Sequence, residues 1–517
     1  MPPRRSLLLA LICIPIFIGA LDLTVVSAVL PHVIYDLEIP IQSGLDDAAW
    51  IVTGYLLAYS VAMTFMGRLS DLYGRMRVYL LALAIFAFGS YLVAVADLWP
   101  TRILLRAYYL LADGRPDPGL FALRILIGAR MLQAFGGGAM VPVGMALIGD
   151  LYPPGQRARP LGLIAAVDTA GWVVGHLYGG IVVRYFDWRV IFWGNLPVCL
   201  LAFILINRAR RSLTETRGRG RMDWRGTLLI SAALIALNAG LGTNVETGAA
   251  VGARILPPYA TPLILSSIIL ISLFLFWQTR SRDPLIALTI FSRPNISAAT
   301  LANFLTGFSL FVAIANVPLF INTLVAETLD QGVWDSGWML SALTVPMALA
   351  AVPGGTLTAR RGYRLPALIG LLGAISGLLL MRGWGIGTTY AEMIPHLVLA
   401  GVGFGLLIAP IAAAVVDGAP QDQRGAASAL VILFRLIGMT IGVSSLTTYG
   451  IYRLNLLSST LDPVGRDIGE LTRKALELTA QVIGETFLIA AIVCLLAILP
   501  VLRLRSAKME EPTPIQI

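Results

Sequence analysis

The chain has 517 residues, of which 57% are hydrophobic and only 13% are charged, and its mean hydropathy is +0.80. Because a water-soluble protein of this size carries about 25% charged residues to cover its surface, this composition excludes a soluble enzyme. The formal net charge of +9 does not indicate a nucleic-acid partner, since most of the 38 basic residues stand in short connections between apolar runs. That distribution is typical of a multi-pass membrane protein.

Fourteen apolar segments follow one another along the chain, each long enough to cross a hydrocarbon core as a helix of about 20 residues. The predicted spans are 7–32, 50–68, 78–98, 122–149, 161–183, 190–207, 226–243, 261–279, 297–322, 336–357, 366–383, 394–416, 425–448 and 483–503. The first segment is too long for the apolar part of a signal peptide. An even number of spans puts both termini on one side, and the excess of Arg in its connections predicts that this side is the cytoplasm.

Neither a metal centre nor a catalytic motif is expected. The three cysteines lie in apolar runs and the three histidines are scattered along the chain, so no disulfide framework, zinc site or haem site is predicted. The signatures Gly-x-Ser-x-Gly and His-Glu-x-x-His are absent, as is a Walker phosphate loop. No catalytic residue and no cofactor are therefore predicted, and a membrane-embedded enzyme stays only as a remote alternative.

Two pairs of similar segments indicate an internal repeat. Residues 67–74 resemble residues 355–362, at an offset of 288 residues, and residues 142–157 resemble residues 410–424, at an offset of 267 or 268. The long loop from Trp99 to Leu120 in the first half accounts for the difference between the offsets. In the second pair of segments, Pro142, Asp150 and Arg157 correspond to Pro410, Asp417 and Arg424. Chance matches of Gly and Pro in an apolar chain are the alternative.

The repeat predicts three regions. Residues 1–207 form a first six-helix bundle, and residues 297–517 form a second. Residues 208–296 hold a basic cytoplasmic linker and two inserted transmembrane helices. The second bundle carries an outer helical extension at about 449–482, in which apolar residues from Ile468 to Val482 recur every three or four positions. A solvated loop helix is the alternative. Two six-helix halves in the same orientation are typical of carriers that rock between two open states.

The connection between the second and third spans carries the strongest motif. It reads Gly-Arg-Leu-Ser-Asp-Leu-Tyr-Gly-Arg-Met-Arg over residues 67–77 and resembles the loop signature of the major facilitator superfamily. The matching positions are Gly67, Asp71, Gly74, Arg75 and Arg77. The resemblance implies a cytoplasmic gate, whose glycines allow close approach and whose charges offer partners that release as the halves move. An ordinary basic turn is the alternative.

Further motifs resemble the fourteen-span drug:proton antiporters of this superfamily. The first span carries Leu-Asp-Leu-Thr-Val-Val at 21–26, and the fourth carries Arg-Met-Leu-Gln-Ala-Phe-Gly-Gly-Gly at 130–138. The resemblance implies an all-α membrane protein with the major facilitator fold: two six-helix bundles in pseudo-twofold relation plus the two inserted helices.

The fifth span resembles the antiporter motif of these exporters. Its glycine spacing allows close helix packing. The motif positions are Gly171, Gly175, His176, Gly179 and Gly180. His176 stands where the family normally has proline, which weakens the inference of drug–proton antiport.

Four charged residues within the spans need an explanation, because a charge at the centre of a bilayer costs at least about 2.5–3.5 kcal/mol. They are Asp22, Arg130, Asp168 and Arg435. We expect Asp22 and Arg130 to lie close together and to couple transport to protons. The offset of 267 maps Asp168 onto Arg435, so we expect both to join one charge network with Asp22. A permanent ion pair that only fixes helix packing is the alternative for Asp22 and Arg130, and two unrelated polar residues are the alternative for Asp168 and Arg435.

The sequence leaves two classes of transported molecule as alternatives, a lipid and a drug. Residues 38–42 and 50–55 resemble a lipid-exporting branch of the family, whose members hand lipid to an outer lipoprotein. The resemblance implies export of a hydrophobic or amphipathic molecule in exchange for protons across the cell membrane, with membrane lipids around the protein and an outer lipoprotein as a further partner. Composition alone does not distinguish a transporter of hydrophobic drugs from a transporter of lipids.

Overall fold

A computed structural model describes residues 3–39, 41–111, 117–209, 220–241, 259–326, 328–459 and 468–505. Over these residues every regular element is a helix and there is no strand. The helices are α1 (Pro3–Asp36), α2 (Ile41–Tyr73), α3 (Arg75–Ala94), α4 (Trp99–Leu111), α5 (Pro118–Leu151), α6 (Ala158–Tyr185), α7 (Arg189–Ala209), α8 (Trp224–Leu241), α9 (Ala260–Arg280), α10 (Pro294–Phe320), α11 (Leu329–Arg361), α12 (Arg364–Met381), α13 (Tyr390–Gly418), α14 (Arg424–Ser458), α15 (Ile468–Leu496) and α16 (Ile498–Leu502).

Fourteen stretches of helix in the described part of the chain are long and apolar enough to cross a membrane. Each falls on one of the fourteen predicted spans, so the prediction of an all-helical protein with fourteen spans is confirmed. The helices are longer than the predicted spans. For example, α2 begins at Ile41 and α14 ends at Ser458, because a helix continues into polar sequence where hydropathy no longer registers it.

Two further features lie outside the predicted spans. The loop from Trp99 to Leu120 contains the helix α4. The length of the loop alone does not predict this helix. The predicted outer extension is helical on both sides of residues 460–467, which lie outside the described residues. On its far side α15 begins at Ile468 and runs into the last span, and a single turn at Ala497 separates it from α16.

The chain divides into two compact units. The first comprises Met1–Gly144, Val167–Thr247 and Leu256–Ile286, and the second comprises Met145–Ala166, Gly248–Ile255 and Ala287–Ile517. The second unit thus includes the end of α5 and the beginning of α6.

The core of the first unit is built from aliphatic side chains of several helices. Val25 and Val29 of α1 are packed with Ile51 of α2, Leu126 of α5 and Ile191 of α7, and all five are buried. Such side chains exclude water from the middle of the unit. Any polar group placed among them therefore needs a partner from the protein itself.

In the second unit, close contacts between helix backbones replace bulky side chains at several crossings. A Cβ atom on Gly401 of α13 would collide with the carbonyl oxygen of Leu343 on α11, and one on Gly403 would collide with α12 at Ala374. Small residues at such crossings let membrane helices approach and gain van der Waals contact. An aromatic cluster of Phe320, Trp384 and Phe487 fills the space between α10, α15 and the end of α12.

Candidate transport site and gate

The first unit holds a buried ion pair that joins α1 to α5. Asp22 and Arg130 are both fully buried, and Nη1 of Arg130 donates to Oδ2 of Asp22 at 2.5 Å. Nη2 of the same arginine also donates to the main-chain oxygen of Asp22 at 3.3 Å. The structure therefore brings together two of the four charged residues that the sequence singles out, 108 positions apart.

Amide and hydroxyl groups from three helices complete this network. Nε2 of Gln133 on α5 donates to Oδ1 of Asp22 at 3.0 Å and to Oγ of Ser90 on α3 at 2.6 Å. Oε1 of Gln133 accepts from Nη1 of Arg130 at 2.5 Å. Nδ2 of Asn195 on α7 donates to Ser90 at 2.9 Å and to Asp22 at 3.4 Å. Four helices thus share one set of polar contacts around a single carboxylate.

Aromatic rings cover the guanidinium group of Arg130. Its Cζ lies 4.2 Å from the centroid of the Tyr55 ring and 5.6 Å from that of Phe192. Cation–π attraction of this kind strengthens when the cation is withdrawn from water. The rings also exclude water from the ion pair, which strengthens its electrostatic attraction further.

Sequence reasoning finds only part of this network. Asp22 and Arg130 stand out because they are charged within apolar spans. Tyr55 and Gln133 lie in the stretches 50–55 and 130–138 that resemble family motifs, but neither stretch indicates a contact with Asp22. Ser90 does not stand out, since a neutral polar residue is common in membrane helices. The one signal for Ser90 and Asn195 is that they place hydrogen-bonding groups well inside predicted spans.

The other two charged residues belong to different units. Asp168 lies on α6 and is buried in the first unit. Arg435 lies on α14 in the second unit and is half-buried, with its main chain and Cγ directly over Gly307 of α10. All the contacts described above for Asp22 are with residues of the first unit. A common network of Asp22, Asp168 and Arg435 stays a prediction.

The glycines of the fifth predicted span allow α6 to lie directly against α1. A Cβ atom on Gly171 would collide with the main chain of α1 at Phe17, and one on Gly175 would collide with Thr24. Oγ1 of Thr24 donates to the main-chain oxygen of Trp172 at 3.0 Å. Gly179 is buried, whereas a Cβ on Gly180 would meet open space, and the side chain of His176 lies outside the described residues.

The loop signature forms a sharp turn between α2 and α3. Gly74 separates the two helices with a φ of 101°, a conformation that glycine adopts without steric cost. Directly beyond it, Nη2 of Arg75 contacts Oδ1 of Asp71 at 2.9 Å, and both side chains are buried. Gly67 is buried too, while Arg77 is exposed.

The second unit contains two ion pairs between residues that the sequence repeat relates to each other. Nη1 of Arg157 contacts Oδ1 of Asp417 at 2.7 Å, and Nη1 of Arg424 contacts Oδ1 of Asp150 at 3.3 Å. Asp150 and Arg157 are the repeat equivalents of Asp417 and Arg424, at the offset of 267. Each copy of the motif therefore supplies an acid and a base, and each pairs with the other copy.

Further contacts strengthen both pairs. The hydroxyl of Tyr363 donates to Oδ2 of Asp417 at 2.7 Å, and Nη1 of Arg424 donates to the main-chain oxygen of Gly149 at 2.8 Å. The pair of Arg157 with Asp417 is the more buried, at 5% and 6% exposure, against 13% and 24% for Arg424 with Asp150. The two equivalent pairs thus differ in their access to water.

Fourteen membrane-length helices, with a charge-compensated carboxylate buried among them, define a multi-pass membrane protein of the transporter class. The family model of the Major Facilitator Superfamily matches residues 12–443 and 299–516. The chain belongs to this superfamily and is a transporter rather than an enzyme. The family and fold predicted from the motifs are confirmed.

Relatives that cover nearly the whole chain carry names of lipid transporters. A triacylglyceride transporter of Mycolicibacterium hassiacum is 32% identical over 507 residues, which cover 93% of this chain and 88% of the relative. One of Mycobacterium tuberculosis is 32% identical over 501 residues, covering 93% and 90%. A probable triacylglyceride transporter of Mycobacterium leprae is 30% identical over 524 residues and covers 96% of both chains.

Solved structures share the fold at much lower sequence identity. A proton:xylose symporter of the superfamily, XylE, superposes with a TM-score of 0.61 at 13% identity and covers 95% of this chain and 94% of its own. The human organic anion transporter MFSD10 gives a TM-score of 0.60 at 15% identity, with coverage of 97% and 100%. These similarities concern the fold alone.

Proposed function

We propose that this protein exports a neutral lipid of the triacylglyceride class by alternating access, driven by proton antiport. The observation that supports this most directly is the name carried by relatives that are 30–32% identical across more than nine-tenths of the chain. The sequence resemblance to exporters supports the direction of transport. A multidrug pump is the competing function, and no relative named above carries such a name.

Asp22 is the residue that we assign to proton coupling. As a carboxylate it is compensated by Arg130 and accepts from Gln133 and Asn195. A proton on Asp22 would cancel its charge and leave Arg130 buried without a counter-ion, which is strongly unfavourable in a protein interior. The protonated protein would therefore favour a conformation in which Arg130 finds another partner, and that preference is the differential affinity that coupling requires.

Asp168 and Arg435 would extend this coupling between the two halves. They occupy equivalent positions of the repeat and carry opposite charges on α6 and α14. Such residues attract each other in one state of an alternating-access cycle and separate in the other.

The gate, in this proposal, consists of the loop signature at residues 67–77 and the two reciprocal ion pairs. Arg157 with Asp417 and Arg424 with Asp150 join segments from the two copies of the repeat. Ion pairs between repeats hold one conformation closed and release when the repeats move apart. The number of contacts that must break together would set the barrier to opening.

The location that we propose is the cell membrane, with both termini in the cytoplasm. The helices α14 and α15 would then extend on the outer side, where a lipoprotein could receive the cargo. A polar cluster supports the base of that extension: Glu485 of α15 accepts from the hydroxyl of Tyr449 at 2.8 Å and from Nε of Arg453 at 3.0 Å. These contacts fasten α15 to α14 where the extension begins.

Reconstitution tests the proposal. Proteoliposomes with an imposed pH gradient are loaded with a fluorescent triacylglyceride or with a cationic dye, and the movement of each is recorded with the gradient present and collapsed. We expect gradient-dependent movement of the lipid. Movement of the dye but not the lipid would establish a drug pump instead.

A matched pair of variants isolates the role of the buried carboxylate. Asp22→Asn keeps the shape of the side chain and removes its ability to bind and release a proton. Asp117→Asn makes the same change at an exposed carboxylate just before α5, where an asparagine can also accept from the main-chain N–H of Leu120. We expect only the first variant to lose gradient dependence. Undiminished proton-driven transport in both Asp22→Asn and Asp168→Asn would refute the proposed coupling.

A further inference from the structure

The helix α4 has no part in the transport site, and its surroundings point to a separate role. It connects α3, which ends at Ala94, to α5, which begins at Pro118. Since α3 and α5 are both long and apolar enough to span a membrane, the segment between them lies at one membrane surface. That surface is the end of the first unit opposite the turn at Gly74.

One side of α4 is fastened to the first unit. Oγ1 of Thr101 donates to the main-chain oxygen of Ala96 at 2.6 Å, and Nε1 of Trp99 donates to the hydroxyl of Tyr91 at 3.3 Å. Further along, the ring of Tyr108 lies edge-on to Phe121 of α5, with 6.2 Å between centroids. These contacts hold the helix against α3 and α5.

Between Trp99 and Tyr108 around the helix axis, α4 carries an apolar face with exposed side chains. At about 100° per residue, Ile103, Leu104, Leu110 and Leu111 fall within one arc of roughly 120°. All four are exposed, Leu110 and Leu111 by 85% and 87%. So large an apolar surface in water is unfavourable and marks a site of contact with a protein or a membrane.

The charges of α4 stand at the edge of this arc. Arg102 and Arg106 are its only charged residues, and both are exposed. A helix with an apolar face and flanking basic residues is the pattern of one that lies in the plane of a membrane surface. Arginine also binds phosphate oxygens in a two-pronged geometry that suits a lipid headgroup.

Neighbouring residues indicate that this end of the first unit lies at the boundary of the membrane. Exposed aromatic residues, Tyr35 at the end of α1 and Tyr185 and Phe186 at the end of α6, form part of the same surface. Such residues collect at the level of lipid headgroups. Asp97, just before α4, contacts Nη2 of Arg189 at 2.7 Å, which ties the connection to the start of α7.

We propose that α4 lies in the membrane interface and binds acidic lipids there. Its apolar arc inserts among the acyl chains at the level of the headgroups, and Arg102 and Arg106 bind the phosphates of negatively charged lipids. The occupant of this surface is the bilayer itself, because the helix is joined at both ends to membrane-spanning helices and carries two positive charges with no acid. The cargo of the transporter does not enter this argument.

Site-directed fluorescence quenching tests the placement. The three native cysteines are buried, so a thiol-reactive bimane label is directed to the introduced cysteine of Leu110→Cys or, separately, Ile103→Cys. In liposomes of phosphatidylcholine and phosphatidylglycerol, we expect quenching by brominated acyl chains and little quenching by aqueous iodide. Strong iodide quenching without bromolipid quenching, at both positions, would place α4 in water or on a protein partner and refute the proposal.

The lipid preference is measured with the same label. At equal mole fraction, brominated phosphatidylglycerol should quench more strongly than brominated phosphatidylcholine. We expect this preference to weaken about fivefold for each arginine removed, in Arg102→Gln and Arg106→Gln, since a basic residue near an acidic membrane contributes about 1 kcal/mol.

Two controls distinguish a local effect from a change in total charge. Arg208→Gln with Arg221→Gln removes two exposed arginines far from α4 along the chain and should leave the preference unchanged. A label at Ile269→Cys, on the exposed apolar face in the middle of α9, should report no preference. Equal quenching by both lipids at position 110, or equal loss in the control variant, would contradict binding by Arg102 and Arg106.

Discussion

The two units each contain carboxylate–arginine pairs, and the pairs differ in what surrounds them. Asp22 and Arg130 in the first unit are fully buried and share donors and acceptors with Gln133, Ser90 and Asn195. Of the two pairs in the second unit, Arg157 with Asp417 is buried, whereas Arg424 with Asp150 is partly open to water. They join segments that are equivalent by sequence repeat.

This difference teaches that burial decides what an ion pair can do. A fully buried pair is costly to break, because the charge left behind has no water to solvate it. A proton on Asp22 removes only the charge of the carboxylate, so it leaves Arg130 without a counter-ion and favours a rearrangement in which the guanidinium gains another partner. A partly exposed pair exchanges its partner for water at little cost, so it suits a contact that opens and closes.

The largest expected effect follows from replacing one partner of the buried ion pair. In Arg130→Gln, the carboxylate of Asp22 stays buried without its counter-ion, and we expect a loss of about 3–5 kcal/mol in the free energy of unfolding, together with loss of transport. The measurement is thermal unfolding in detergent combined with the liposome assay.

The double variant Asp22→Asn with Arg130→Gln separates stability from function. It removes both charges, so we expect it to recover most of the stability while transport stays absent. Arg124→Gln, at an exposed position on the same helix, is the matched control. A double variant as unstable as Arg130→Gln would show that packing, and not the unpaired charge, dominates this site.

A charge reversal in the second unit is the next largest test. Arg157→Asp and Asp417→Arg each bring like charges into direct contact across the pair that joins the two copies of the repeat, and each should impair transport severely. The reversed pair, with both changes in one chain, should restore much of the activity because the attraction is re-formed. Failure of the double variant to improve on either single variant would exclude a simple ion-pair contact.

A smaller effect is expected for the amide that links α7 to the buried network. Asn195→Leu removes the donor to Ser90 and Asp22 while keeping similar volume, and a typical hydrogen bond contributes about 1 kcal/mol. We expect a modest loss of thermal stability and a clear change in the proton dependence of transport. An unchanged proton dependence would assign Asn195 to packing alone.

The smallest expected effect on stability comes from removing one carboxylate from either of the two ion pairs that the repeat relates. Asp150→Asn should cost no more than about 1 kcal/mol, because its pair with Arg424 is the more exposed. Asp417→Asn should cost more, since its pair with Arg157 is buried and also loses the contact with Tyr363. Raising the salt concentration should weaken the first pair selectively. Equal effects of the two variants would contradict the role given to burial.

Apolar length and the loop signature are enough to determine the architecture from the sequence. Fourteen runs of hydrophobic residues predict fourteen spans because the bilayer demands helices of that length and a satisfied backbone. The repeat offset of 267 and the motif at residues 67–77 lie in the chain itself. Asp22 and Arg130 are evident there too, since charges within apolar spans are rare.

The partners of those residues are decided by helix packing. Asp22 meets Gln133 and Asn195, which stand 111 and 173 positions away, and no local pattern states which faces of α1, α5 and α7 will meet. The same holds for the reciprocal pairing of Asp150 and Arg157 with the second copy, and for the exposed face of α4. Hydropathy records where each residue prefers to be, whereas the identity of its neighbour depends on how whole helices cross, and that is a property of the tertiary structure alone.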